Sequence, residues 1–158
     1  MSQRSYWLFK SEPTNFSFDD LRTCPNSTEH WDGVRNYQAR SYLRDEVQVG
    51  DQVLFYHSNI AEPAIVGIAE VVRAGYPDWT ARDPENKHFD PASTAEKPIW
   101  YMVDVRFVNP FPRPVKLAEL KNNPALSGMV LLSRSRLSIQ PVREEEWRQI
   151  LRMGGVEE

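Results

Sequence analysis

Seven consecutive residues, Trp31-Asp32-Gly33-Val34-Arg35-Asn36-Tyr37, bring two aromatic rings, a carboxylate, a guanidinium and an amide into one short stretch. A flat indole face beside hydrogen-bonding groups suits a planar, polar ligand. Asn36 reads as a helix N-cap, its side-chain oxygen accepting from a free amide of the first turn. The helix behind it is expected over Tyr37-Gln38-Ala39-Arg40-Ser41-Tyr42-Leu43-Arg44. Trp31 and Arg35 then sit at its positive end, where free amide groups point outward. The plainer reading is a tryptophan that fills a small core, with Arg35 paired to Asp32.

Further polar clusters fall at the ends of predicted elements: Lys10-Ser11-Glu12, Tyr56-His57-Ser58, Tyr76-Pro77-Asp78 and Ser133-Arg134. If these ends converge, Trp31, Tyr56 and Tyr76 wall a pocket. Ser11, Asn36, Ser58 and Arg134 then supply polar contacts. A flat heterocycle fits such a place, stacked on the rings and hydrogen-bonded along its edge. The three histidines, His30, His57 and His88, show no paired spacing, so no metal site is expected. No glycine run could cradle a phosphate. His57 and Ser58, adjacent on a strand, point to opposite faces and do not make a nucleophile–base pair. His57 reads as a pocket rim or a structural hydrogen-bonder. Arg35, Arg40, Arg44, Arg134 and Arg136 fit phosphate tracking or a solvated face equally well.

The elements that must hold these groups are short. Tyr6-Trp7-Leu8-Phe9, Gln52-Val53-Leu54-Phe55-Tyr56 and Leu137-Ser138-Ile139-Gln140-Pro141-Val142 read as strands. The run from Ala64 to Val72 is apolar almost throughout, as in a strand buried on both faces, and Gly67 within it marks a bulge or close approach. Alternation marks a strand from Ile99 to Val108, which the proline-rich stretch after Asn109 is expected to break. Ser17 should cap one helical turn, Leu117-Ala118-Glu119-Leu120 a second short helix, and Trp147, Ile150 and Leu151 the buried stripe of a closing helix. Residues 75–98 form the longest irregular segment, and its aromatics argue for an ordered loop. These elements predict an α+β fold of five to six strands, a small barrel edged by short helices.

Length and composition set the outer bounds. A chain of 158 residues with 41% hydrophobic and 26% charged residues fits one globular domain. The single cysteine, Cys24, allows neither an internal disulfide nor a cysteine zinc site, and a reducing setting is the default. The polar start, Met1 to Ser5, does not read as a signal peptide, and no apolar run approaches a membrane span. A net charge of −3 argues against binding nucleic acid through bulk charge, though not against a pocket that reads one base.

Four blocks carry a family resemblance: Tyr6-Trp7-Leu8-Phe9-Lys10-Ser11-Glu12-Pro13, Trp31 through Arg40, Gly50-Asp51-Gln52-Val53-Leu54-Phe55-Tyr56-His57-Ser58, and Arg134 through Val142. Together they resemble the EVE domain, in family order, over nearly the whole chain. The resemblance implies one domain over residues 1–158. Its fold would be a PUA-like mixed-sheet pseudo-barrel ringed by helices, related to the YTH domains that read methylated adenine in RNA. It implies a reader of nucleic acid that takes a modified base, such as 5-methyl- or 5-hydroxymethylcytosine in DNA, into an aromatic pocket. No catalysis, cofactor, metal or membrane partner is implied. Two departures stand out: Ala64 follows Pro63 where the family often has glycine, and no long basic extension precedes the first strand. The second points to a bacterial, cytoplasmic stand-alone form.

The expected roles follow. Trp31 and Tyr56 stack on or wall the base. Ser11, Asn36, Ser58 and Asp78 hydrogen-bond its edge, and Lys10, Arg35 and Arg134 hold phosphate or the rim. Glu12, Val34, His57 and Tyr76 complete the expected ligand-binding set. Trp31→Ala is expected to weaken binding with little loss of fold. Two other readings remain: an enzyme or enzyme accessory acting on modified nucleotides, with His57 and Asp78 as acid–base partners, and a small-molecule binding module.

Overall fold

The computed structural model describes residues 5–134 and 136–156. The polar residues 1–4, Ser135 of the fourth sequence block and the last two residues lie outside that range. Six strands form one sheet: β1 (Tyr6–Ser11), β2 (Thr28–His30), β3 (Gln52–His57), β4 (Ala64–Pro77), β5 (Tyr101–Lys116) and β6 (Ile139–Val142), in the order β2-β5-β4-β3-β1-β6. Among the described residues, only β1 and β3 pair in parallel. A parallel pair needs a crossover. The crossover here carries α1 (Phe18–Thr23), β2 and α2 (Tyr37–Asp45).

The central strands are apolar on both faces because both faces are covered. Side chains alternate between the two. Trp7, Phe9, Val53 and Phe55 enter one core with Leu21 of α1 and with Ala39 and Leu43 of α2. Leu8, Leu54 and Tyr56 enter the other with Leu120 of α3 (Leu117–Lys121) and Leu131 of α4 (Val130–Ser133). Trp147, Ile150 and Leu151 of α5 (Glu144–Gly154) complete that second core, which is the stripe expected of the closing helix.

Local chemistry sets the helix starts. Ser17 and Asp20 form a reciprocal capping box on α1. Asn36 caps α2, its Oδ1 accepting from the Ala39 amide at 2.9 Å. Asp51 clamps the entry to β3: buried, it accepts from the Ser5 amide, the Trp7 indole and the Gln48 amide at 2.9–3.0 Å.

Gly67 sits at a register shift of β4, as expected of a bulge. A Cβ there would collide with the Phe18 ring, so the missing side chain makes room for that ring of α1. The expected break of β5 after Asn109 is corrected: the strand continues to Lys116. Pro110 pairs with Gly67 and Val115 with Ile65, so the intervening residues bulge out of the ladder. The prolines there need donate no ladder bond. Sequence patterning also missed β2, three polar residues at the sheet edge. No helix among the described residues is long and apolar enough to cross a membrane.

Candidate functional site: a cleft beside Trp31

A cleft of about 470 Å³ opens where the ends of β1 and β2 meet the loop between residues 83 and 100. Lys10, Ser11, Glu12, Asn15 and Phe16 line it, together with Glu29, His30, Trp31 and Asp32. Lys87 and His88 close it from the long loop. Its volume falls within the range of small-molecule and base-sized pockets.

Trp31 continues β2, its amide donating to the Val103 carbonyl at 2.7 Å. Its ring packs on Phe9, Phe16 and Phe55 at centroid distances of 5.3, 6.3 and 5.4 Å. Only 8% of the residue is exposed. The indole is therefore a core side chain, as the plainer reading of Trp31 expects, and it also lines the cleft. The expectation that Trp31→Ala spares the fold is corrected on the same ground, since a buried indole against three phenyl rings cannot be deleted cheaply.

After Trp31 the chain turns at Gly33, whose φ of +78° favours glycine. A Cβ at Gly33 would lie 2.5 Å from the His88 ring, so glycine is also what admits His88 to the cleft. A buried network fixes this turn. Asp78, fully buried at its side chain, accepts from the Gly33 amide at 2.9 Å, from Arg35 at 3.1 Å and from the Thr80 amide at 2.9 Å. The Thr80 hydroxyl donates to it as well. Arg35 in turn donates through Nε and Nη2 to the His88 carbonyl at 3.2 and 2.7 Å. Burial pushes the Asp78 carboxyl up, but the hydrogen bonds from Thr80, Gly33 and Arg35 and the guanidinium charge outweigh it and hold the pKa below the usual carboxylate value. Arg35 thus pairs with Asp78, not with Asp32.

Asp32 faces the cleft instead. Its carboxylate lies 3.6 Å from His88 Nδ1 and 4.0 Å from His30 Nε2, longer than hydrogen bonds. His88 Nδ1 is buried with no hydrogen-bond partner among the described residues. His30 Nδ1 meets Glu29 at 2.7 Å. The fold thus gathers two histidines that showed no paired spacing in the sequence. No group of three or more His, Cys, Asp or Glu among the described residues could hold a metal ion.

The remaining sequence candidates are placed as follows. Lys10, Ser11, Glu12 and Trp31 come together in the cleft. The Ser11 hydroxyl donates to the Phe16 carbonyl and shapes the loop that carries Phe16. Lys10 lies 5.9 Å from the Tyr56 ring, and burial lowers its pKa. Tyr56 and Val34 are core side chains outside the cleft lining. Ser58 also lies outside it, tied to β1 through its amide and the Ser11 carbonyl at 2.9 Å. The Asn36 oxygen is committed to the helix cap. The Tyr76 hydroxyl donates to Asp104, and burial and that carboxylate push its pKa up. Arg134 donates to Gln38 at 2.6 Å on the surface. The single pocket walled by Trp31, Tyr56 and Tyr76 is accordingly not formed. Sequence reasoning passed over Asn15, Phe16, Glu29, His30, Asp32, Lys87 and His88 as cleft residues. Asp32 had a signal, lying inside the opening stretch; the others became cleft residues only through folding.

His57 Nε2 accepts from the Phe18 amide at 3.1 Å and so caps α1. It and Asp78 therefore serve different partners, and the sequence's acid–base pairing of the two is not made. Burial lowers the His57 pKa, opposed by the charges of Asp19 and Asp20. A neutral ring is the form that accepts the amide, so its stabilisation is present above the ordinary histidine pKa of about 6.5 and is lost as pH falls through the lower folded value. Denaturant midpoints measured from pH 7.5 to 5 should fall more steeply for the native chain than for His57→Gln, which keeps an acceptor without a titrating ring. Parallel profiles would show that His57 carries no such role.

Comparison with known proteins agrees with this architecture. Thymocyte nuclear protein 1 of Homo sapiens is 45% identical over 160 residues, covering 90% of this chain and 71% of that protein. A hypothetical protein from Leishmania major superposes with a TM-score of 0.92 at 50% identity, covering 97% of this chain and 96% of the other. Human THYN1 protein in complex with 5-methylcytosine containing DNA superposes with a TM-score of 0.91 at 43% identity, covering 98% of this chain and 99% of that one. A YTH domain of Zygosaccharomyces rouxii, at 18% identity and a TM-score of 0.53, shows the fold alone: a PUA-like α+β architecture on one mixed sheet. The EVE domain model matches residues 5–153. The chain belongs to the EVE domain family.

Proposed function

We propose that this chain is a non-enzymatic reader of a modified base, in DNA rather than RNA, and that the base enters the cleft beside Trp31. The observation that carries the reading is Asp32: a carboxylate in a cleft of base-pocket size, beside an indole wall, with its two histidine neighbours beyond hydrogen-bond distance. Carboxylates accept from the exocyclic amine of cytosine. Phe16 and Trp31 offer the apolar contact that a 5-methyl group seeks, and Lys10 and Lys87 at the same cleft offer charge to the neighbouring phosphates. A relative 43% identical over 98% of this chain has been crystallised with 5-methylcytosine containing DNA, which supports DNA as the partner and cytosine as the base.

The base must leave the duplex stack to reach the cleft, at a cost of about a few kcal/mol. Fluorescence anisotropy with duplexes carrying one 5-methylcytosine, one 5-hydroxymethylcytosine or neither tests the reading. The native chain should favour a modified duplex. Asp32→Ala, at a partly exposed position, should fold normally and lose about ten-fold in affinity for it. Equal affinities for all three duplexes, or an Asp32→Ala protein that binds like the native one, would contradict the proposal.

A further inference from the structure

Trp79 is 45% exposed, unusual for so large an apolar ring, and Phe89 is 40% exposed. Both stand beside the cleft. The Trp79 ring lies 5.4 Å, centroid to centroid, from His30, which lines it. Phe89 follows His88, which lines it as well. The two segments are tied together: the Asp90 amide donates to the Ala81 carbonyl at 2.8 Å, joining the Phe89 side to the helical turn Trp79–Arg82. That turn is held firmly. Asp78, its cap, is the buried carboxylate of the Gly33–Arg35–Thr80 network. The molecule thus presents exposed aromatic rings on a rigid support at the mouth of a cleft.

A duplex that gives up a base is left with a gap in its stack. Proteins that unstack DNA commonly insert an apolar side chain, and a ring recovers stacking that the departed base made. We propose that Trp79 is the side chain that stacks into the duplex in place of the base taken into the cleft, with Phe89 flanking it. This rests on the cleft being the base site, and deepens it: the partner is then a duplex, and Trp79 is a determinant of duplex binding without touching the modified base. Surface exposure of Trp79 and the cap that Asp78 retains mean that Trp79→Ala should keep the fold.

The test compares native protein, Trp79→Ala and Trp79→Phe on three probes: a duplex with one 5-methylcytosine, the same strand alone, and 5-methyl-2′-deoxycytidine. Trp79→Ala should lose on the order of ten- to a hundred-fold on the duplex. It should be unchanged on the nucleoside and weakened far less on the single strand, and Trp79→Phe should recover part of the duplex loss. At saturating protein, a 2-aminopurine placed beside the modified base should brighten more with Trp79→Ala than with the native protein, whose ring restacks on it, and equal brightening would overturn the proposal. Equal losses on duplex and single strand would make Trp79 a general stacking platform and overturn the proposal, as would an unchanged duplex affinity. Failure of the cleft reading is separate: the native protein would then not bind 5-methyl-2′-deoxycytidine.

Discussion

Asp78→Ala should lower stability by about 3–5 kcal/mol, the scale of a buried ion pair broken from one side. The variant strands the Gly33 amide, the Thr80 amide and hydroxyl, and one arm of Arg35. For a chain of this size the melting temperature should fall by roughly 10 °C. Asp78→Asn keeps the shape and one acceptor, and should cost less, about 1–3 kcal/mol. The pH dependence follows from the direction of the shift. The folded carboxyl titrates below its unfolded value, so its contribution is complete above about pH 4 and is lost only as pH falls through the lower folded pKa. Native chain and Asp78→Asn should therefore differ most at neutral pH and converge under acid. A cost under 1 kcal/mol for Asp78→Ala in denaturant titrations would mean that the network does not hold the turn. Because Arg35 also grips the His88 carbonyl, the same variant should loosen the loop that closes the cleft and weaken ligand binding.

Trp31→Ala should show the second large effect, on two readouts at once. Removing a nearly buried indole packed on Phe9, Phe16 and Phe55 should cost about 3–5 kcal/mol. It should also remove one wall of the cleft. Trp31→Phe separates the two: a phenyl ring fills part of the core at a smaller cost, about 1–2 kcal/mol, while presenting a shorter face to the ligand. Measured below both unfolding transitions, Trp31→Phe should bind modified duplex several-fold more weakly than the native chain, and Trp31→Ala more weakly still. Binding equal to native in a folded Trp31→Phe protein would assign the indole to the core alone.

Much of the scaffold was legible because its signals are local. Asn36 and Ser17 announce their helices through caps that act within four residues, and the alternation of Trp7, Leu8 and Phe9 between two cores follows from strand geometry and apolar content on both faces. The Gly67 bulge was visible for the same reason. What patterning missed obeys tertiary rules. Thr28–His30 is a strand because β5 offers it an edge, and no property of three polar residues says so. Pro112 and Pro114 do not end β5 because a bulge takes them out of the ladder.

The site divided along the same line. Lys10, Ser11, Glu12 and Trp31 lie where strands end, and the ends do converge. Tyr56 and Tyr76 share the residue type of a pocket wall, but one is buried in the second core and the other is engaged by Asp104. His88 reaches the cleft from a distant loop because Gly33 has no side chain and Arg35 holds the loop's backbone. Neither condition can be read from His88 itself.

The central claim is that a modified base sits against Trp31. Its most direct test is a ¹H–¹⁵N spectrum of the five tryptophan indoles during titration with 5-methyl-2′-deoxycytidine. The Trp7 and Trp100 indoles, bound to Asp51 and Asp90, should hold still. The Trp31 indole should move in proportion to occupancy, and Asp32→Ala should shift that curve to higher ligand concentration. A nucleoside that binds and leaves the Trp31 signal unmoved would place the base elsewhere and contradict the account.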